Sequence, residues 1–130
     1  DPRTKKEYRH CILRTHTSMQ LEPYFHLFYR KGKKSVPDDL PKMITPQILA
    51  VWIMDDGYRR SDCNAFRLNT QSYSEDEHVI ILKALEKFGL DAVIHKQRSY
   101  FVTYIPSRSM DQLRQLVQEY IIPEMKYKIV

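Results

Sequence analysis

Hydrophobic and polar positions along this chain follow two alternating periods, and the switches between them mark its elements. Over residues 65–71 the period is two: Phe66, Leu68 and Thr70 fall on one side and Arg67, Asn69 and Gln71 on the other, which predicts a strand with one covered face. From Ser74 the period lengthens. Ile81, Leu85 and Phe88 recur at helical spacing behind an S-x-x-E capping box made by Ser74 and Glu77, and Gly89 ends the helix. Residues 91–97 and 100–105 read as two strands joined tightly around Arg98 and Ser99. Ser109 with Gln112 makes a second capping box, followed by Leu113, Leu116, Val117, Tyr120 and Ile121 at spacings that fit one helix face, with Pro123 as its stop. Upstream, residues 8–17 read as a strand, residues 21–30 as a short helix with Pro23 in its first turn, and RKGKKSVPDD as a basic loop.

The stretch LAVWIMDDG, residues 49–57, breaks this regularity. Thr45 and Pro46 form an N-cap and first-turn proline pair, so a helix is expected over residues 46–55, closed by Gly57 as C-cap. Its apolar character is nearly unbroken, which argues for burial against a partner helix. It ends in Asp55 and Asp56, although a helix C-terminus carries partial negative charge and disfavours carboxylates. Something cationic is expected there.

Composition narrows the class. At 130 residues and 42% hydrophobic the chain can bury a core without staples. Cys11 and Cys63 lack CxxC spacing and read as intracellular thiols, excluding a zinc knuckle or a secreted disulfide scaffold. The longest apolar run has seven residues, against about 20 for a membrane span. No secretory signal pattern opens the sequence, so an intracellular setting is expected, in a bacterial cytoplasm or an organelle. Charge is uneven: residues 1–34 carry nine Lys or Arg against three acids, whereas the other 96 residues sum to −1 within the formal +5. A concentrated basic surface suits a phosphate-backbone binder, an anionic membrane surface or plain solubility.

A weak internal repeat adds organisation. At an offset of 91, Ser18, Met19 and Tyr29 fall on Ser109, Met110 and Tyr120, each set in the order strand, capped helix, basic-apolar segment. On this reading residues 1–44 are the tail of a first repeat and residues 45–130 a more complete second copy.

Several residues carry candidate chemistry. Asp55 and Asp56 suit Mg²⁺, which often takes one or two carboxylates plus phosphates and waters; a solvated DDG turn is the plainer alternative. Arg67, Asn69 and Gln71 are side chains that read base edges in the DNA major groove, or the ordinary polar face of a half-exposed sheet. Arg14, His16, His95 and Gln97, with Lys96 and Arg98, extend that polar character over neighbouring strands. Lys34 and Lys128 stand at comparable points of the two half-repeats, where a lysine near a metal-bound phosphodiester stabilises developing charge; most lysines are simply solvated.

Taken together, LAVWIMDDG, the continuation FRLNTQSYSEDE, the ending IIPEMKYKI and the upstream KGKKSVP resemble the LAGLIDADG homing endonucleases, in the branch whose second signature reads like WFMDDG. The resemblance implies an α/β (α+β) fold of αββαββα repeats, whose signature helices pack together and whose saddle-shaped antiparallel sheets lie along the DNA major groove. It implies site-specific hydrolysis of double-stranded DNA with Mg²⁺ (or Mn²⁺), Asp56 as principal metal ligand with Asp55 beside it, and Lys34 and Lys128 as active-site lysines. It puts Arg67, Asn69 and Gln71 on the base-contacting strand. Only one signature helix is present, so a second is expected from a missing N-terminal repeat or from a homodimer partner through residues 46–55. A nuclease-inactive maturase or splicing factor of the same fold, binding intron RNA, is the alternative.

Overall fold

The computed structural model describes residues 12–130. In chain order it contains α1 (Glu22–Phe28), β1 (Tyr29–Arg30), β2 (Lys33–Lys34), α2 (Leu40–Met43), α3 (Pro46–Asp56), β3 (Gly57–Arg59), β4 (Phe66–Leu68), α4 (Glu75–Glu86), β5 (Val93–Gln97), β6 (Tyr100–Ile105) and α5 (Met110–Val117). Short 3-10 turns occupy Met19–Leu21, Ser107–Ser109 and Pro123–Lys128. From α3 onward the order is α, β, β, α, β, β, α, the mixed α/β arrangement the resemblance implies.

The main sheet is antiparallel throughout, with strand order β3-β4-β6-β5. Residues directly opposite one another share a face. Phe66 faces Ile105 and Leu68 faces Thr103, and this side is buried. It joins Leu49, Ala50 and Ile53 of α3, Ile81, Ala84 and Leu85 of α4, and Leu113 and Val117 of α5 in one core. The opposite side carries Arg67 between Tyr58 and Tyr104, then Val93, with His95 and Gln97 further along β5.

A buried polar knot holds the end of β4 in place. Thr70 Oγ1 lies 2.8 Å from His78 Nε2 and accepts the Thr103 N–H at 2.9 Å. His78 Nδ1 donates to the Ser74 carbonyl at 2.7 Å, since a carbonyl can only accept. The capping box at Ser74 forms in full, with the Ser74 hydroxyl accepting from Glu77 N and the Glu77 carboxylate accepting from Ser74 N. The helix is thus fixed to the sheet at its first turn.

Several expectations need correction. Residues 12–17 form no strand; residues 8–11 lie outside the described residues. The basic loop folds as a hairpin, β1 against β2, turning through Lys31 and Gly32 at φ of 49° and 75°, the paired positive angles of a two-residue type I′ connection. Ser109 makes no side-chain cap, because its hydroxyl accepts instead from Asp91 N at 2.9 Å. The last helix ends at Val117, six residues before Pro123, which opens a 3-10 turn rather than stopping a helix. Gly57 is the C-cap of α3, as expected, its N–H donating to the Ile53 carbonyl, but it does so in extended backbone at φ −83° and not as a left-handed cap. A Cβ there would collide with the Ile53 carbonyl and the Phe66 ring, so close packing is what demands glycine. Among the described residues no helix is long and apolar enough to cross a membrane.

Candidate active site at the end of the signature helix

The helix α3 starts where the Thr45 hydroxyl accepts the Ile48 N–H at 3.2 Å and Pro46 supplies a preset φ. Leu49, Ala50 and Ile53 are buried in the chain's own core, whereas Ile48 and Val51 are 47% and 57% exposed. Asp55 continues that open side one turn beyond Val51. The chain's own core thus buries one side of the apolar helix, and the other is left open to the partner helix that its character leads one to expect.

The cation at the helix end is Lys128. Its Nζ donates to the Met54 carbonyl at 2.5 Å and lies 3.5 Å from the Ile53 carbonyl, so it partners the Met54 carbonyl and offsets the negative end of the dipole. The carboxylates are left to face two clefts. One, of about 210 Å³, is lined by Lys34, Trp52, Asp55, Asp56 and Tyr73 together with apolar side chains that include Ile48. The other, of about 460 Å³, is lined by Asp55, Tyr58, Arg59, Asn69, Tyr127 and Lys128, among others. Asp55 borders both, Asp56 only the first.

Lys34 reaches its cleft from the β1-β2 hairpin, and specific contacts hold that hairpin. Ser35, Val36 and Pro37 are buried, Ser35 N donates to the Phe28 carbonyl at 2.7 Å, and the Glu77 carboxylate accepts Val36 N at 2.9 Å while also closing the capping box. Burial alone would raise the Glu77 carboxyl, but the donated N–H groups of Ser74 and Val36 and the nearby Arg30 charge outweigh it and hold the group below its ordinary value. Burial pushes the Tyr73 phenol up, and the adjacent Lys34 ammonium opposes that rise. Tyr73, Lys34 and Asp56 therefore form one neighbourhood.

The base-reading candidates divide. Arg67, His95 and Gln97 share the outer face of the sheet, where the His95 and Tyr104 rings stack at 4.3 Å between centroids. Asn69 and Gln71 lie beyond the end of β4 and are exposed, with Gln71 Nε2 donating to Asn69 Oδ1 at 3.4 Å. Asn69 lines the Lys128 cleft. Arg14 and His16 do not extend the sheet: both lie in the exposed stretch before α1, and His16 borders a hollow with Phe25 and His26. Arg59 was missed from the sequence, although the RR pair two residues after DDG was a visible signal. Among the described residues no group of three or more His, Cys, Asp or Glu is placed to hold a metal ion. The donor set, two carboxylates and no nitrogen or sulfur ligand, fits a hard divalent cation that completes its shell with water and phosphate oxygens.

An αββαββα unit whose first helix is open on one side and ends in two acids, with a lysine lining each of the two clefts beside them, defines the class. The chain belongs to the LAGLIDADG DNA endonuclease family, whose profile matches residues 1–113. It is 36% identical over 112 residues to the probable intron-encoded endonuclease 1 of Wickerhamomyces canadensis, covering 81% of this chain and 48% of that one. It is 36% identical over 99 residues to the cytochrome b mRNA maturase bI2 of Saccharomyces cerevisiae, covering 74% and 23%. With the DNA endonuclease I-ChuI of Chlamydomonas applanata it shares 29% identity over 143 residues, covering 99% and 66%. Among solved structures it matches the homing endonuclease I-WcaI bound to its DNA recognition sequence, with a TM-score of 0.78 and 32% identity, covering 85% of this chain and 52% of that one. The chain thus spans between about a quarter and two thirds of the length of these relatives.

Proposed function

We propose that the protein is a site-specific homing endonuclease that hydrolyses double-stranded DNA with a divalent metal. The observation that carries this reading is the convergence of Asp56 with Lys34 in one cleft, and of Asp55 with Lys128 in the next, around a single helix end. Asp56, with Asp55 beside it, would hold Mg²⁺ or Mn²⁺; the bound metal supplies a nucleophilic water at neutral pH and stabilises charge on the attacking and leaving oxygens. Lys34 and Lys128 offer positive charge to the phosphodiester, and Arg67, His95 and Gln97 face the groove from the sheet, with Asn69 and Gln71 at its margin. The basic hairpin gives affinity through the phosphate backbone. An intracellular setting, in a bacterial cytoplasm or an organelle, goes with this reading.

Two repeats make the whole. Residues 1–44 act as the tail of a first repeat and residues 45–130 as the second, and Ser18 and Ser109, the paired positions of the sequence repeat, each stand immediately before a helical segment. A second signature helix, from an N-terminal repeat or from a homodimer partner, would pack on Ile48, Val51 and Asp55.

A duplex-DNA library of randomised sequence, incubated in Mg²⁺ and sequenced at its cut ends, tests the reading. The wild type yields a defined motif, and Asp56→Asn loses cleavage by roughly a thousandfold or more, the scale of several kcal/mol of transition-state stabilisation. Equal cutting by the variant sinks the assignment of Asp56. The second reading, an RNA-binding maturase, is favoured by the similarity to maturase bI2. It predicts tighter binding to structured RNA than to duplex DNA and no cuts in Mg²⁺.

A further inference from the structure

The cleft beside Lys128 contains three cations with unequal commitments. Lys128 is held by the carbonyls of Ile53 and Met54. Arg60 is paired through two nitrogens with the Asp62 carboxylate. Arg59, on the edge strand β3, has no ion pair among the described residues, and its Nε is buried without a hydrogen-bond partner. A buried guanidinium N–H left alone is unfavourable, and the fork of donors on arginine matches two oxygens of one phosphate. The cleft that Arg59 lines also holds Asn69, Tyr58 and Tyr127, neutral donors suited to the same group, and Asp55 at its metal-binding border.

We infer that Arg59 is a ligand of a backbone phosphate in the Lys128 cleft. The assignment rests on the nucleic-acid reading above and adds a residue that neither the signature helix nor the lysine pair indicates. The Lys34 cleft, lined by Trp52, Tyr73 and apolar side chains, has no arginine, so the two clefts grip their phosphates unequally.

The probe is duplex DNA recovered by binding from a randomised library, with Ca²⁺ in place of Mg²⁺, titrated against the protein over a range of salt. Arg59→Met binds roughly tenfold or more weakly at fixed salt, as expected for loss of one charge-assisted contact, and lowers the slope of log K against log salt by about 1. Arg59→Lys keeps the slope and loses several-fold in affinity, because the bidentate geometry is gone. Arg108→Met, on an exposed arginine paired with Asp91 away from the cleft, matches the wild type in slope. An Arg59→Met protein that binds more weakly with an unchanged slope has lost structure rather than a phosphate contact, and that outcome overturns the inference. So does wild-type binding by Arg59→Met, or by Arg59→Lys if the methionine variant does not fold. Wild-type protein that binds the duplex yet does not cut it in Mg²⁺ removes the nuclease reading while the slope still decides the contact. Absence of duplex binding by the wild type overturns both.

Discussion

Thr70 shows how much of this site depends on one hydroxyl. Its Oγ1 sits between His78 Nε2, the Thr103 N–H and the Thr103 hydroxyl, all in the buried interior beneath the strand that carries Arg67 and leads into Asn69 and Gln71. Thr70→Val keeps the shape and removes the partner, leaving the Thr103 N–H and the imidazole nitrogen unsatisfied. The expected cost is about 2–4 kcal/mol, read as a lower urea midpoint with an unchanged m-value. A midpoint equal to the wild type would mean that water enters the knot and takes over its bonds. The alternation of Phe66, Leu68 and Thr70 made the buried side legible, whereas nothing local marked His78, because its partners lie 8 and 4 residues away on different elements and a histidine at a helix start reads as surface.

At the scale of elements, local chemistry was legible and long-range chemistry was not. The Thr45 cap, the Ser74 box and the β5-β6 pair were each readable, since every determinant lies within a few residues. Ser109 failed as a cap because Asp91, distant in sequence, takes its hydroxyl, and Gly57 was legible as the C-cap but not as the seat of the Phe66 ring, which lies on the next strand. Within the candidate site, the meeting of Lys34 with Asp56 came from the resemblance; the RR pair after DDG signalled Arg59 without its cleft, and Tyr73 needed the fold. Glu77 links these levels, since one carboxylate closes the α4 box and anchors the Lys34 hairpin. Its folded value is depressed, so the stability from its ionised form is complete above the ordinary glutamate value near 4.3 and is lost as pH falls through the lower folded value. Glu77→Gln should melt at a lower temperature than the wild type at neutral pH and lose less on acidification to about pH 3. Parallel loss in both proteins would assign the acid sensitivity to other carboxylates.

On the scale of the whole molecule, the open side of α3 carries the argument. Ile48 and Val51 project from a helix whose other side is already satisfied by the core, and Asp55 continues the same side toward both clefts. A helix of like character laid along Ile48 and Val51 would bury them, and would set the two clefts at a fixed separation across the two DNA strands. Val51→Lys tests this without touching the acids or the lysines. Because Val51 is exposed within this chain, the unit's own unfolding should shift by no more than about 0.5 kcal/mol. A charge placed in a close helix contact leaves an uncompensated buried ammonium, so the same change should abolish association of the two repeats and, with it, paired cleavage of both strands. Nicking and unfolding are measured on the same preparation. Intact double-strand cutting by Val51→Lys would mean that this side of the helix is solvent-facing in the working enzyme, and that the acids reach the DNA by some arrangement other than paired helices.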